Sequence, residues 1–154
     1  MSSRLSTITR VAPQALLTAT ISIRTSGAGF NEITRDAADF LREAKAADGA
    51  LTVFLRHTSA SLTIQENADP DVQTDLTDAL NRLAPEYAGY IHDTEGPDDM
   101  PAHIKAMLTG VSLAIPVTDG KAALGTWQGI YLIEHREVPH TREVMLQFIG
   151  SCRE

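Results

Sequence analysis

LTVFLRHTSASLTIQENADPDVQTD, residues 51–75, decides how this chain folds. Its first part alternates with the two-residue period of a half-buried strand, Leu51, Val53 and Leu55 on one side and Thr52, Phe54 and Arg56 on the other. His57 continues the Leu51/Val53/Leu55 side. Beyond it the parity flips, because Leu62 and Ile64 are now the apolar positions and Ser59, Ser61, Thr63 and Gln65 take the opposite face. A strand cannot exchange its faces without a bulge, a bend or a sheet corner, which this pattern puts between His57 and Ala60. The polar cluster His57, Thr58, Ser59 and Ser61 therefore falls on irregular backbone. Glu66, Asn67 and Asp69 follow at the far end of the second strand, and Asp69-Pro70 has the form of a helix start: Asp as cap, Pro at the first helical position.

Working outward, residues 15–23 are rich in β-branched side chains and run into the turn sequence TSGAG, so they read as a first strand. Ile33, Ala37, Phe40, Leu41 and Ala44 recur at helical spacing, with Thr34 as N-cap and Asp48-Gly49 as the stop. In the helix after Pro70 the expected buried stripe is Val72, Leu76, Ala79, Leu80 and Leu83, closed by Pro85. Residues 86–99 have no period, a length of loop that is often functional. A third helix is expected from Asp99-Met100-Pro101 to Gly110, with Met100, Ile104, Met107 and Leu108 inward and His103 at the edge. Residues 111–117 alternate into the hairpin turn Asp119-Gly120, followed by a return strand over 121–124. Residues 127–135 and 142–149 read as two further strands. Six or so strands in hairpins, with helices segregated from them, define an α+β class.

The chain of 154 residues is expected to form a single domain over 1–154, with residues 1–9 loose. A net charge of −7 argues against non-specific nucleic-acid binding, and 5% aromatic residues argue against a base-stacking platform. The one cysteine, Cys152, excludes an intrachain disulfide and a CxxC motif. No stretch is apolar enough to span a membrane, and the Thr-interrupted segment after Arg10 suits a strand better than a signal sequence, so the expected location is the cytoplasm.

Three histidines, His57, His92 and His103, lie in or beside irregular backbone, in segments that also carry Glu66, Asp69, Asp93, Glu95, Asp98 and Asp99. Imidazoles and carboxylates at one site suit a divalent metal or acid/base work, whereas capping alone accounts for one of the Asp98-Asp99 pair. Ser59 and Ser61 lack a nucleophile elbow, which favours anion binding over covalent catalysis. Gly125-Thr126-Trp127-Gln128 reads either as a tight turn turning its amides to a phosphate or as a bulge with a core Trp. His135, at the end of YLIEH, and His140 read first as surface histidines.

Taken together, HTSASLTIQENADPDVQTDL, YIHDTEGPDDMPAHIKAMLTG and SLAIPVTDGKAALGTWQGIYLIEHR strongly resemble the YjbQ-like family, described as secondary thiamine-phosphate synthase. The resemblance runs from about residue 33 to the C-terminus. It implies an α+β subunit, a mixed but mostly antiparallel β-sheet sandwich with about three helices, assembled as a homotrimer. It also implies a polar pocket holding a divalent metal (Mg²⁺ or Zn²⁺) or an oxyanion, built from His57, Ser59, Ser61, Glu66, Asn67, His92, Asp99 and His103. Within it His57, Glu66 and Asp99 are the expected catalytic groups. His57, His92 and His103 are the expected metal ligands, with His135 in second rank. Ser59, Ser61, Asn67, Gly125 and Thr126 are the expected anion contacts. The implied reaction joins a pyrimidine-methyl diphosphate to a thiazole phosphate with loss of pyrophosphate, at low efficiency. A trimeric metal- or oxyanion-binding protein and a hydrolase of a small phosphorylated metabolite want the same pocket.

Overall fold

A computed structural model describes residues 5–154. The chain runs β1(Ala15–Arg24), β2(Gly29–Glu32), α1(Thr34–Glu43), β3(Ala46–Leu55), β4(Ala60–Glu66), α2(Pro70–Leu83), α3(Asp99–Thr109), β5(Ser112–Thr118), β6(Lys121–Ala122), β7(Gln128–Glu134) and β8(Thr141–Cys152). The strands form two antiparallel sheets, ordered β1-β8-β3-β5-β6 and β2-β7-β4. The α+β class expected from the pattern is the fold observed. The parity flip is a sheet corner: β3 belongs to the larger sheet and β4 to the smaller, so the chain changes sheet between Leu55 and Ala60. Both strands then direct their apolar residues to one interior. Leu51, Val53 and Leu55 of β3 meet Leu62 of β4, Ile130 and Leu132 of β7, and Val144, Leu146 and Phe148 of β8. Helix α1 adds Ala37 and Leu41 to that core.

Strand β7 is buried from Gly129 onward, because core and helices cover its two faces. Its even positions, Ile130 and Leu132, face the other sheet. Its odd positions, Tyr131 and Ile133, face the side on which α3 packs against β4 and α2 against β2. Asp69 caps α2 as expected, its Oδ1 accepting from Asp71 N at 2.9 Å, with Pro70 in the first turn.

Several local expectations are corrected. Thr34 is the first residue of α1 and not its cap: its hydroxyl donates to Glu32 Oε1 and accepts from Ile130 N, tying the helix to β7. The helix stops at Glu43 because Lys45 turns to positive φ (49°), while Asp48-Gly49 lies inside β3 at a register shift against β8. Gly49 is required there by close approach, since a Cβ would lie 2.2 Å from Ile149 O. The inward face of α3 is Asp99, Pro101, Ala102 and Ala106, not the longer apolar side chains; Met107 and Leu108 are 79% and 54% exposed. Small residues let α3 sit close on β4, and that turns Met107 and Leu108 outward. No residue of α2 is fully buried, and Leu83 is exposed. The return strand after Asp119-Gly120 is two residues long. Of the segment expected to be loose, residues 1–4 lie outside the described residues, and residues 5–9 carry no helix or strand. No helix among the described residues is long and apolar enough to cross a membrane.

Candidate functional site

Asp99 opens α3 and is buried, while His103 follows one helical turn later on the same face. The unperiodic loop returns His92 to the same point. His92 Nε2 lies 2.8 Å from Asp99 Oδ2, and His103 Nε2 lies 3.4 Å from that oxygen. One ligand atom from each of the three residues falls within 4.8 Å of the others. The second carboxylate oxygen, Oδ1, is held by the Arg136 guanidinium, whose Nε also donates to Asp98 Oδ2 at 3.0 Å. Arg136 thus fixes the Asp99 plane so that Oδ2 faces the imidazoles.

Proton placement tests whether these residues suit a metal. His103 Nδ1 lies 3.0 Å from the Thr58 carbonyl, which can only accept, so Nδ1 carries a proton. In the neutral ring Nε2 then presents a lone pair to a carboxylate oxygen. Two lone pairs facing each other across 3.4 Å call for a cation between them, either a second ring proton or a metal ion. A carbonyl that fixes the far nitrogen of a ligating imidazole is the usual support of a metal-binding histidine. Two histidines and one carboxylate, with His92 and His103 partly open to solvent, form a donor set that leaves coordination positions free. The residues fit the group.

The corner holds a second constellation. Glu134 and Arg142 face the core at its end, 1% and 3% exposed, joined by two hydrogen bonds of 2.7 Å (Nε to Oε2) and 2.6 Å (Nη2 to Oε1). Thr25 Oγ1 donates to the same carboxylate at 2.9 Å. Burial opposes the Glu134 charge, but the Arg142, Arg136 N–H and Thr25 hydrogen bonds prevail and hold its carboxyl below the usual range. For Asp98, burial is likewise outweighed by hydrogen bonds from Glu137 N and Arg136, and its carboxyl is held low. On the other face of the small sheet Ser61 Oγ lies 2.8 Å from His135 Nε2, both buried. Burial first, then the nearby Lys105 charge, push the His135 imidazole down to about 4, so it is neutral at physiological pH.

The expected site is thus partly assembled. His92, Asp99 and His103 come together. His57 shares a shallow hollow with His103, Phe54 and Met107, but its Nε2 accepts from Glu143 N at 3.0 Å and its Nδ1 lies 3.5 Å from Arg142 Nη1. Its ligating lone pair is therefore already used, and burial followed by Arg142 lowers its pKa. Ser59 gives its carbonyl to Arg142, and Ser61 is sealed against His135. His135 is not a surface residue: it is 4% exposed and lies on the helix side of the small sheet, apart from the His92/His103 pair. Glu66 and Asn67 lie at the other end of β4, opposite Gln128, six residues or about 20 Å from Ala60. Gly125 N donates to Gln128 Oε1 at that same far end, and Trp127 is 65% exposed, so neither amides facing the histidine cluster nor a core Trp is found there. Within the chain, Glu66, Asn67, Gly125 and Thr126 are not joined to the histidines.

Arg136, Glu134 and Arg142 are not singled out by any sequence motif. Strand parity could have found two of them. Glu134 falls on the side of Ile130 and Leu132, and Arg142 on the side of Val144 and Leu146; opposite charges on buried faces require each other.

Fold and site together define an antiparallel two-sheet α+β protein with a histidine–carboxylate cluster at the start of its third helix. The chain belongs to the YjbQ-like UPF0047 family, whose model matches residues 19–151. It is 49% identical over 130 residues to the UPF0047 protein sll1880 of Synechocystis, covering 84% of this chain and 88% of that one. To the UPF0047 protein YjbQ of Salmonella typhimurium it is 48% identical over 133 residues, covering 86% and 96%. Among solved structures, a YjbQ/UPF0047 family protein of Clostridium acetobutylicum superposes with TM-score 0.79 at 40% identity, over 84% of this chain and 98% of that one. The hypothetical protein APE1520 of Aeropyrum pernix gives TM-score 0.81 at 26% identity, over 88% and 99%.

Proposed function

We propose that His92, Asp99 and His103 hold a divalent metal ion, with zinc the best match to two imidazoles and a carboxylate, and that the centre acts on a small phosphorylated metabolite. The observation that carries this reading is the His103 Nε2 lone pair aimed at Asp99 Oδ2 while Nδ1 is committed to Thr58 O. When bound, such an ion supplies Lewis-acid polarisation of a phosphoryl oxygen. The chain's own contribution is orientation. Thr58 O sets the His103 ring, Arg136 sets the Asp99 carboxylate, and buried Asp99 keeps one oxygen for the site.

The finer reading, supported by the three-motif resemblance, is slow thiamine-phosphate synthesis from the pyrimidine-methyl diphosphate and the thiazole phosphate. A low rate is expected, because Arg136 is already paired with two aspartates and does little to neutralise a departing pyrophosphate. The assembly read with it is a cytoplasmic homotrimer. Its support is the exposed apolar surface beside His103, where Phe54 and Met107 are 42% and 79% exposed. Elemental analysis of protein purified without chelator should find about one metal per chain, and His103→Ala should lose it. Metal retained by H103A, or absent from wild type dialysed against zinc, would refute the centre. Thiamine-phosphate formation that persists in H103A would detach the reaction from this site, and a scattering mass of 16.7 kDa would refute the trimer.

A further inference from the structure

A cavity of about 360 Å³ lies between α2, the loop that leaves it, α3 and the end of β7. Its walls include Leu80, Asn81, Ala84, Lys105, Ile133 and His135. It lies on the helix side of the small sheet, and none of His92, Asp99 and His103 lines it. Its volume is that of a small-molecule site, and its floor is apolar with a few convergent polar groups.

Two of those groups, on His135 and Lys105, are donors. The Ser61 hydroxyl is fully buried, and among the described residues its hydrogen-bond partner is His135 Nε2 at 2.8 Å. A buried O–H left without an acceptor is costly, so the hydroxyl donates and Nε2 accepts. The neutral ring then carries its proton on Nδ1. That nitrogen has no partner among the described residues, yet it is not a sealed unpaired atom: no buried side-chain N or O there lacks a partner. His135 is 4% exposed and is one of the residues that line this cavity. Lys105 Nζ donates one of its three N–H groups to Asn81 Oδ1 at 2.7 Å; the Glu86, Glu137 and Asp98 charges act on it, but among the described residues none of them forms a salt bridge with it. Four acidic residues line the wall, and two are already engaged: Asp98 accepts from Arg136 and Glu137 N, and Glu134 directs its carboxylate to the core side of the sheet, onto Arg142. Glu86 and Glu137 remain.

We propose that this cavity binds a small organic monocarboxylate, whose oxygens accept from the Lys105 ammonium and the His135 Nδ1–H and whose apolar body rests on Leu80, Ala84 and Ile133. A single negative charge is specified, because Glu86 and Glu137 in the same wall penalise a phosphate dianion. The binding is independent of the metal centre and goes beyond the function proposed above.

The test is calorimetric titration of the folded protein with isovalerate, isobutylamine and inorganic phosphate, alongside NMR of ¹⁵N-histidine-labelled protein. Isovalerate should bind and shift the His135 ring nitrogens, equally in chelator-treated and zinc-saturated protein. Lys105→Met should weaken it at least ~tenfold, as expected for one charge-assisted hydrogen bond lost. Glu86→Gln should tighten it roughly twofold by removing a like charge, and it keeps the test open should K105M fold poorly. Isovalerate binding absent up to ~50 mM, unchanged in K105M together with E86Q, or dependent on zinc would overturn the proposal, as would isobutylamine or phosphate binding more tightly. Zinc that fails to bind His92, Asp99 and His103 leaves the isovalerate result standing, so the two readings fail separately.

Discussion

Replacing His135 with glutamine should remove a large part of this protein's loss of stability in acid. The ring is 4% exposed, and burial together with the Lys105 charge brings it down to about 4 from 6.5, while Glu134 acts in the opposite sense and Arg142 in the same one. As pH falls, the unfolded chain therefore takes up this proton before the folded one does. The sign follows: the contribution to stability is complete above about 6.5 and is lost as pH falls toward about 4. With those two values the loss between about pH 7.5 and about pH 5 is about 2 kcal/mol. Glutamine does not titrate, and its Oε1 can still accept the Ser61 hydroxyl, which the distal ring nitrogen does now. Urea unfolding of wild type and H135Q at both pH values, at one protein concentration, measures the difference. His57, whose pKa is also lowered, and the depressed carboxyls Asp98 and Glu134 are present in both proteins and cancel. Wild type should lose about 2 kcal/mol more than H135Q over this interval. Equal losses would mean that the ring is protonated in the folded state, and both the Ser61 geometry and the neutral tautomer would be wrong.

Arg136→Gln should free Asp99 Oδ1 and lower zinc affinity at the cluster by roughly ten- to a hundredfold, read by competition with a chromophoric chelator. Arg142→Met should cost about 3–5 kcal/mol in urea unfolding by leaving the Glu134 carboxylate buried and unpaired, and the double variant with Glu134→Leu should recover most of that. Gly150→Ala should destabilise by about 3 kcal/mol or prevent folding, since its Cβ would lie 2.2 Å from Asp48 O and 2.6 Å from the Phe148 ring; soluble yield and thermal midpoint report it. Asp69→Ala removes the α2 cap and should cost about 1 kcal/mol in the same assay.

Alternation told most about the fold, because a strand's two faces are read directly from residue type. The flip at His57–Ala60 identified the sheet corner, and Asp69-Pro70 and Asp119-Gly120 marked a helix start and a hairpin by local chemistry alone. Helix faces were less legible. In α3 the apolar stripe Met100, Ile104, Met107 and Leu108 suggested the wrong inward face, because the neighbouring strand admits only Pro101, Ala102 and Ala106 at that distance. The largest side chain is not the most buried when the packing surface is a close, flat sheet. Thr34 misled for a related reason: its hydroxyl serves Glu32 and the β7 backbone, partners the local sequence does not reveal.

The site divides along the same line. Asp99 and His103 are four residues apart on one helix, so their convergence is written in the spacing, and His92 needs only the loop to return. Long-range partners are not written that way. His57 sits in a motif that looks like a ligand, but whether its lone pair is free depends on Glu143, eighty-six residues away. Glu66 and Asn67 belong to the same short motif as His57, yet an extended strand carries them to its opposite end. Proximity in sequence is proximity in space within a helical turn and distance in space along a strand. HTSAS and ENADP, at the two ends of β4, therefore belong to two ends of one sheet, and the cluster His92, Asp99 and His103 belongs to the HTSAS end through Thr58. A site that used both ends would have to draw one of them from another copy of this chain.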